Sequence, residues 1–381
     1  MKTRFQDLSL ESYALPAAIV ERTPTPALVV YVKHVRENLK RMLLLTGGPD
    51  RWRPHVKTTK IPAIWAEMAR AGIRNFKCAT TREASILLRT LREEGLEGAD
   101  LLLAYPLIGP SLTRLGEIAA EHPEARVSVL CEDAGAVQGI HNLVSIFIDV
   151  NPGMNRTGVP AEDIESILAI ARGAGPRFRG LHYYDGHIHD PDQRAHETRV
   201  HAGIDRLLEI EASCIDAGCA VGELITSGTH AFMAALTHPS LGPSSDRTHR
   251  VSPGTVVFHD LTTEQCNPTL DLVPAALVMS RIISQPGPRM ITCDAGSKSV
   301  AAEAGHPCAF PIAAPECEAR IPSEEHLPFD CSVDELRARG EVLYLVPRHV
   351  CPTVNLAGRA LLVDGDEVRV VDVEAAGHEL Y

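Results

Sequence analysis

The chain has 381 residues, of which 45% are hydrophobic and 23% are charged, an ordinary composition for a globular protein. Its formal net charge of −12 argues against a nucleic-acid partner and against binding to an anionic membrane surface. No apolar run approaches the ~20 residues that a membrane helix needs, and the N-terminal MKTRFQDLSLES contains no apolar core of a secretory signal.

Strand-like and helix-like segments alternate from about residue 26. The helix-like segments are amphipathic, as in 161–174, where Ile164, Ile167, Leu168 and Ala171 share one face. Eight βα units predict a parallel (β/α)8 barrel of the TIM type. An open doubly wound sheet would also alternate, but no GxGxxG motif follows the first strand. The predicted strands are short apolar runs, as in sheets buried on both faces: 27–32, 52–57, 74–79, 100–105, 126–130, 145–150, 178–184 and 222–227.

The pattern changes after about residue 250. Short β-rich segments follow one another, Gly and Pro separate them, and helical stretches are scarce, which indicates a smaller, mostly antiparallel domain. The first 24 residues fit no barrel unit and are expected to join this second domain. We therefore predict a barrel over 25–250 and a β domain made of 1–24 plus 251–381.

The ten cysteines are scattered and none belongs to a CxxC pair. Scattered thiols are typical of a reducing compartment, where cysteine is a small apolar residue or a ligand. The sequence therefore predicts a cytoplasmic protein.

Lys57 ends the second predicted strand, at the end of a barrel where active-site side chains lie. A lysine in a partly desolvated barrel mouth can attack a carbonyl group as the free amine. A surface lysine in a loop is the commoner explanation for any single lysine, but the strand-end position and the adjacent Pro54 and His55 weigh against it.

His349 and Cys351 are two residues apart, so that on an extended segment their side chains would point the same way. A thiolate with an imidazole suits Zn²⁺, and two protein ligands leave positions for water or substrate, as in catalytic sites. An isolated HxC pattern is more often a chance occurrence.

These residues lie in two blocks, RPHVKTTK at 53–60 and PRHVCPTVN at 347–355, that resemble the D-threonine aldolase and D-serine dehydratase family. The blocks at 76–83, 103–106 and 149–158 resemble the same family, so that the similarity runs over nearly the whole chain. The resemblance implies the alanine-racemase type of pyridoxal-phosphate fold, a barrel followed by a β domain. It also implies that the cofactor is held by Lys57, although Thr59 stands where the family pattern has a histidine.

The resemblance implies further cofactor contacts. Arg156 would contact the phenolic oxygen of the cofactor, where a cation favours the ionised phenolate. The phosphate is expected on backbone N–H groups near the last strands, either at 227–229 or at 254–255, although a plain turn explains each segment equally well when it is taken alone. The predicted cofactor contacts are His55, Lys57, Arg156, Tyr184, Ser227, Gly228, Thr229, Gly254 and Thr255.

Tyr184 and His187 follow the seventh predicted strand in a Tyr-Asp-Gly-His block. Tyr184 would pack on the pyridine ring or bond to it, and His187 is the candidate base for the substrate hydroxyl, because imidazole titrates near neutral pH. His189 is close in sequence, and the sequence does not decide which histidine faces the site. A structural role for either one is equally compatible with the sequence.

The resemblance predicts a lyase that uses pyridoxal phosphate and a divalent metal (Zn²⁺, Mn²⁺ or Mg²⁺) on β-hydroxy-D-amino acids. The Tyr-Asp-Gly-His block favours retro-aldol cleavage to glycine and an aldehyde, whereas the His349–Cys351 pair is typical of the dehydratases, which form a keto acid and ammonia. A racemase, a non-catalytic pyridoxal-phosphate carrier and a barrel enzyme without this cofactor are the alternatives. The family also implies a homodimer.

Overall fold

The computed structural model describes residues 4–242 and 247–380. These residues contain seventeen strands and ten α-helices. The strands are β1 (Ala27–Tyr31), β2 (Asn75–Cys78), β3 (Asp100–Pro106), β4 (Arg126–Cys131), β5 (Val144–Asn151), β6 (Val159–Pro160), β7 (Phe178–Tyr183), β8 (Glu223–Thr226), β9 (Thr248–Val251), β10 (Ala276–Gly287), β11 (Met290–Cys293), β12 (Ala309–Ile312), β13 (Cys317–Ala319), β14 (Leu327–Cys331), β15 (Val342–Pro347), β16 (Arg359–Asp364) and β17 (Glu367–Asp372). The helices are α1 (Ala17–Arg22), α2 (Val32–Thr46), α3 (Pro62–Arg70), α4 (Thr81–Glu93), α5 (Pro110–Glu121), α6 (Ile164–Ala174), α7 (Gln193–Asp216), α8 (Phe232–Thr237), α9 (Leu261–Cys266) and α10 (Val350–Leu356).

The chain divides into two compact units. The barrel unit consists of Met42–Lys57, Trp65–Gly254 and the chain from His378 onward. The β unit consists of the chain up to Arg41, Thr58–Ile64 and Thr255–Gly377. Residues 25–41 thus fall in the β unit rather than in the barrel.

The barrel unit contains a parallel sheet in the order β2-β3-β4-β5-β7-β8-β9, and β6 pairs with the end of β5. The short segment 52–55 lies between the two edge strands, through parallel bridges from Trp52 to Val251 of β9 and from His55 to Lys77 of β2. Seven strands and this segment make up the eight positions of a (β/α)8 barrel, which confirms the predicted fold class.

One strand was predicted for the wrong sheet. The apolar run 27–32 was expected to open the barrel, but β1 pairs antiparallel with β10 and parallel with β16 in the β unit. The remaining barrel position belongs to β9, which pairs with β8 and was not predicted as a strand. An apolar run buried on both faces looks the same in either sheet, because hydrophobic periodicity does not specify the partner strand.

The interior of the barrel combines an apolar cluster with a buried ion network. Phe147 packs there with three aliphatic residues, Leu102, Leu130 and Ile225. Arg53 is fully buried and pairs with Glu223 at 2.9 Å and with Asp100 at 3.0 Å. Because an unpaired charge in a protein interior is costly, these carboxylates account for the arginine at the start of the RPHVKTTK block.

The turn from β2 into α4 is built by reciprocal capping. The Thr80 hydroxyl accepts a hydrogen bond from the Glu83 N–H at 3.0 Å, and the Glu83 carboxylate accepts one from the Ala79 N–H at 2.7 Å. This arrangement satisfies backbone donors that a helix start leaves unpaired. It fixes the chain immediately after Lys77 and Cys78 at the carboxyl end of β2.

The β unit is built on a nine-stranded sheet with the main order β13-β14-β11-β10-β1-β16-β17, in which β15 pairs with β10 and β12. The N-terminal Phe5, Tyr13 and Leu15 pack into its core against Val29 and Leu277. Most neighbouring strands of this sheet pair antiparallel, and β1 and β16 pair parallel with each other. The sheet is therefore mixed but mostly antiparallel.

Two of the ten cysteines form a disulfide. Cys317 of β13 lies directly opposite Cys331 of β14 and is bonded to it, whereas the other eight form no disulfide. The expectation of unpaired cysteines throughout is therefore wrong for this pair. A separation of 14 residues carried no signal in the sequence, because strand register brings the two together.

Helix α7 has 24 residues, but charged side chains interrupt its apolar face. In the described part of the chain, no helix combines the length and the apolar character that crossing a membrane requires.

Candidate active site

The carboxyl ends of the barrel strands bring several predicted residues together. Lys57 lies in a single helical turn directly after segment 52–55, and its side chain is exposed. Arg156 stacks on the ring of Tyr184, with the guanidinium carbon 4.8 Å from the ring centre. The Lys77 amine lies 5.8 Å from the same ring centre. The Tyr184 ring is therefore flanked by two cations at the mouth of the barrel.

A shallow cleft, open to solvent, lies beside Tyr184. Its walls come from the end of β5, the loop after it and Tyr184, with Asp149, Pro152, Met154 and Arg156 among the lining residues. The cleft offers a concave and partly apolar surface next to charged groups, which is the usual character of a small-molecule site.

The loop that carries Arg156 is held by its own side chains. Asn151 accepts hydrogen bonds from the N–H groups of Gly153 at 2.9 Å and Asn155 at 3.0 Å. Gly158 has φ +101°, and a Cβ atom there would lie 2.8 Å from the Asn151 nitrogen. The DVNPGMNRTG block thus specifies a backbone conformation that presents Arg156 to the cleft.

The turn after β8 packs against Tyr184. A Cβ atom on Gly228 would lie 2.7 Å from the Tyr184 ring, and one on Gly186 would lie 2.4 Å from its hydroxyl oxygen. The Ser227 hydroxyl donates to the buried Asp185 carboxylate at 2.8 Å. Burial raises the pKa of Asp185 to about 6. Glycine at 228 therefore lets the predicted phosphate turn lie directly against the ring.

Three basic side chains of this mouth have no carboxylate partner. Within residues 4–242 and 247–380, none of the side chains of Lys57, Lys77 and Arg156 takes part in an ion pair. Uncompensated cations around a cleft suit an anionic ligand. A pyridoxal phosphate, with its phosphate and phenolate, fits this charge and the exposed Lys57 amine.

Sequence reasoning missed a buried chain of polar groups beneath Tyr184. Asp149 Oδ1 lies 2.7 Å from His182 Nδ1, and His182 Nε2 lies 3.3 Å from Lys77 Nζ. Burial lowers the pKa of Lys77 to about 7, and repulsion from Lys57 adds to the shift. The signal was present, since each of these residues is polar and stands within a mostly buried strand.

His187 and His189 point to different neighbours. A Cβ atom on Gly153 would be 3.9 Å from His187 Nε2, so His187 lies over the loop that carries Arg156. The His189 ring instead packs edge-on against His230, with ring centres 4.6 Å apart. Burial lowers the pKa of His187, assisted by Arg199 and His189. His187 is therefore the histidine beside the cleft.

Of the remaining predicted contacts, His55 and Gly254 belong to the barrel unit and Thr255 belongs to the β unit. The ring nitrogen Nδ1 of His55 accepts the Lys57 backbone N–H at 3.4 Å. Gly254 is buried three residues after β9, and the Trp52 indole N–H donates to the preceding Pro253 carbonyl at 3.0 Å. In the β unit, the Thr255 hydroxyl lies 3.7 Å from Cys351 Sγ. Whether 254–255 contacts a phosphate stays a prediction.

His349 and Cys351 come together in the β unit, although not on an extended segment. His349 caps helix α10 in an extended conformation, and Cys351 lies in the first turn of that helix. The two side chains are nevertheless hydrogen-bonded. Burial lowers the pKa of His349. The bond to Cys351, the charge of Cys351 and the bond to Glu303 outweigh burial and raise this pKa to about 9. The HxC pattern therefore forms a local imidazole–thiol pair at a helix start.

The surroundings of this pair fit a metal with open coordination positions. Glu303 Oε1 lies 2.6 Å from His349 Nδ1, and the Thr58 hydroxyl lies 3.1 Å from Cys351 Sγ. Buried Asp260 accepts the Val350 N–H at 2.9 Å and fixes the start of α10. A carboxylate that orients a metal-bound imidazole is a common outer-shell arrangement. No cluster of three or more His, Cys, Asp or Glu side chains suited to a metal occurs in the described residues, so other ligands would be water or substrate.

Two family models match the chain. The model for the alanine racemase N-terminal domain matches residues 30–260. The model described as "Putative serine dehydratase domain" matches residues 275–363. Between them they include strands β2 to β15 in full and parts of β1 and β16, whereas β17 lies outside both.

Two relatives match along most of the chain, and a third matches over less than half of it. A D-threonine aldolase of an Arthrobacter species is 26% identical over 97% of each chain. The crystal structure of D-threonine aldolase from Filomicrobium marinum is 25% identical, with a TM-score of 0.81 over 93% of this chain and 96% of that one. D-threo-3-hydroxyaspartate dehydratase of Delftia sp. HT23 is 25% identical over 44% of this chain and 45% of its own.

Proposed function

Because the chain belongs to the alanine racemase N-terminal domain family, in its D-threonine aldolase and D-serine dehydratase branch, we propose that it cleaves β-hydroxy-D-amino acids with pyridoxal phosphate and a divalent metal. The preferred reaction is retro-aldol cleavage to glycine and an aldehyde. The observation that carries this proposal is the end-to-end similarity to a D-threonine aldolase. Both kinds of relative, aldolase and dehydratase, are lyases.

The barrel residues would hold the cofactor by charge and by one covalent link. Lys57 provides the exposed amine, and Arg156 favours an ionised phenolic oxygen. The turn 227–229 presents backbone N–H groups beside Tyr184, whose ring the glycines at 186 and 228 accommodate. When bound, the cofactor supplies a sink for the electrons of the bond that breaks at Cα of the substrate.

The base in the aldol direction is His187. Its lowered pKa keeps the imidazole neutral near pH 7, so that a ring nitrogen can accept the proton of the β-hydroxyl. Its Nδ1 is buried and has no hydrogen-bond partner among the described residues, which leaves it available for a ligand or water. His187 thus lies beside the loop that carries Arg156, and its imidazole is in the neutral form that a base requires.

The metal would be held by His349 and Cys351, with Glu303 orienting the imidazole. A metal at this pair supplies a Lewis acid that lowers the pKa of the β-hydroxyl. A thiolate ligand favours Zn²⁺ over Mn²⁺ or Mg²⁺.

A dehydratase is the second candidate, and the cysteine of the HxC pair favours it together with the partial similarity to the Delftia dehydratase. In this reaction Lys57 would remove the α-proton and the hydroxyl would leave at the metal, giving a keto acid and ammonia. The residues are the same as in the aldol reaction, and only the proton that is removed first differs.

The test is consumption of D-threonine by the purified chain loaded with pyridoxal phosphate and Zn²⁺, with L-threonine and D-alanine as parallel substrates. We expect D-threonine alone to be consumed and a chelator to stop the reaction. Conversion of D-alanine to L-alanine that survives the chelator would instead identify a racemase. A tightly bound cofactor without turnover of any substrate would identify a carrier. We further propose a homodimer in the cytosol, which sedimentation and fractionation of the source cells would test.

A further inference from the structure

Lys77 is a buried amine that the proposed chemistry does not yet use. It lies on β2 and is 4% exposed. Its backbone N–H donates to the Pro54 carbonyl at 2.9 Å, and it forms a bridge with His55. The side chain therefore starts next to the segment that ends at Lys57.

The contacts of Lys77 fix its orientation without neutralising its charge. The His182 Nδ1–H donates to Asp149, so Nε2 is left as an acceptor for the Lys77 amine. The Asp149 carboxylate also accepts the Thr157 hydroxyl at 2.7 Å. Burial and repulsion from Lys77 lower the pKa of His182, so the imidazole between amine and carboxylate is neutral.

The other charged groups that face Lys77 do not pair with it either. Arg53 is neutralised by its own carboxylates, Glu223 and Asp100. Asp185 is bonded to the Ser227 hydroxyl, and burial raises its pKa to about 6. Electrostatic repulsion from Lys57 and Arg156 opposes protonation of Lys77. Among the described residues, the Lys77 amine thus has no counterion at hydrogen-bond distance.

We propose that Lys77 is an anion-binding residue of the barrel site, which pairs with an anionic oxygen of the bound ligand and takes up a proton when that ligand binds. This rests on the proposed cofactor function for the identity of the ligand. The oxygen belongs to the cofactor or to the carboxylate of the amino acid. Either source compensates a buried charge that the protein itself leaves unpaired.

The direction of the proton exchange follows from the protonation state of Lys77. Its pKa of about 7 leaves most of the amine neutral at pH 8, and an adjacent anion raises that pKa. Binding at pH 8 should therefore take up close to one proton at Lys77. At pH 6 the amine is already charged before binding, so the uptake should largely vanish.

The test uses calorimetric titration in buffers of different ionisation enthalpy, which counts the protons taken up. In the first arm, pyridoxamine 5′-phosphate binds to the cofactor-free protein; it has no carbonyl group and forms no link to Lys57. In the second arm, glycine binds to the protein loaded with pyridoxal phosphate. Each arm compares wild type with Lys77→Met, Lys77→Arg and the exposed control Lys33→Met.

We expect wild type and Lys33→Met to take up about one proton more than Lys77→Met at pH 8, in one of the two arms. Uptake in the first arm identifies a cofactor oxygen as the partner, and uptake only in the second identifies the substrate carboxylate. The arginine of Lys77→Arg stays charged at every pH, so this variant should bind the ligand of each arm without this proton uptake. Its affinity for that ligand should not weaken between pH 7 and 9.

Equal proton uptake in wild type and Lys77→Met, in both arms, would overturn the role of Lys77 and leave the cofactor assignment intact. Failure of wild type to bind pyridoxamine 5′-phosphate at all would overturn the cofactor assignment and this inference with it. Folding of the variants is checked by the fluorescence of Trp52 and Trp65, which are both buried in the barrel unit.

Discussion

Replacing Lys77 with Met should change how the stability of the barrel unit depends on pH. The folded-state pKa of Lys77 lies near 7, whereas an unfolded lysine has an ordinary value of 10.5. The unfolded chain therefore binds this proton more tightly between those two values, and wild-type stability rises with pH in that window. Below pH 7 both states are protonated, and the full cost of burying the charge is present.

The magnitude follows from the size of the pKa displacement. At about 1.4 kcal/mol for each pH unit, the charge costs the cofactor-free wild type about 5 kcal/mol below pH 7 and about 2 kcal/mol at pH 9. Met removes this cost but leaves His182 Nε2 without its donor, which costs roughly 1–3 kcal/mol at every pH. The stability of Lys77→Met relative to wild type should therefore fall by about 3 kcal/mol between pH 6 and 9.

The assay is urea unfolding of the cofactor-free protein at pH 6, 7, 8 and 9. Fluorescence is selective for the barrel unit, because the two tryptophans of the chain, Trp52 and Trp65, are both buried there. Lys33→Met is the matched control, since Lys33 has a side chain that is 78% exposed and only a 4.0 Å pair with Glu37. Its stability relative to wild type should be the same at all four pH values.

The reasoning would be refuted if the stability of Lys77→Met relative to wild type stayed constant from pH 6 to 9, or if it increased with pH. In the first case Lys77 would titrate normally in the folded chain. The same constant difference would result if an unrecognised counterion kept the amine charged in the folded protein, and a difference that grows with pH would mean that a group other than Lys77 dominates.

Three further substitutions test the proposed site. Lys57→Ala should abolish the borohydride-reducible link to the cofactor in peptide mass mapping, and a link retained elsewhere on the chain would contradict the assignment. Cys351→Ala should remove bound metal and activity together, whereas Cys266→Ala, at an exposed cysteine outside the disulfide, should keep both. Unchanged metal content in Cys351→Ala would show that the HxC pair is not the metal site. Gly228→Ala should displace the Tyr184 ring, because the added methyl would lie 2.7 Å from it, and should weaken cofactor binding at least about tenfold, or ~1.4 kcal/mol. Cofactor affinity equal to wild type, measured by absorbance titration, would mean that the turn does not need the glycine.

The fold class could be predicted from the sequence because alternation of apolar runs and amphipathic stretches is a local property. The assignment of strands to sheets could not, since β1 and the barrel strands have the same apolar pattern. The pairing of β1 with β10 and β16 depends on residues about 250 and 330 positions away in sequence. The disulfide between Cys317 and Cys331 depends in the same way on strand register.

The site residues differ in the same way: some could be predicted from the sequence and others could not. Those carried by a compact motif, such as Lys57 in its block and the His349–Cys351 pair, could be singled out in advance. Lys77, Asp149 and His182 come from three separate strands, and only the closed sheet brings them into one chain of contacts. A polar residue inside an apolar barrel strand is the signal that would have found them.

The most direct measurement is the identification of the products formed from D-threonine by the protein loaded with cofactor and metal. We predict glycine and acetaldehyde in equal amounts, with no ammonia released. 2-Oxobutanoate and ammonia would contradict retro-aldol cleavage and establish the dehydration reaction in its place.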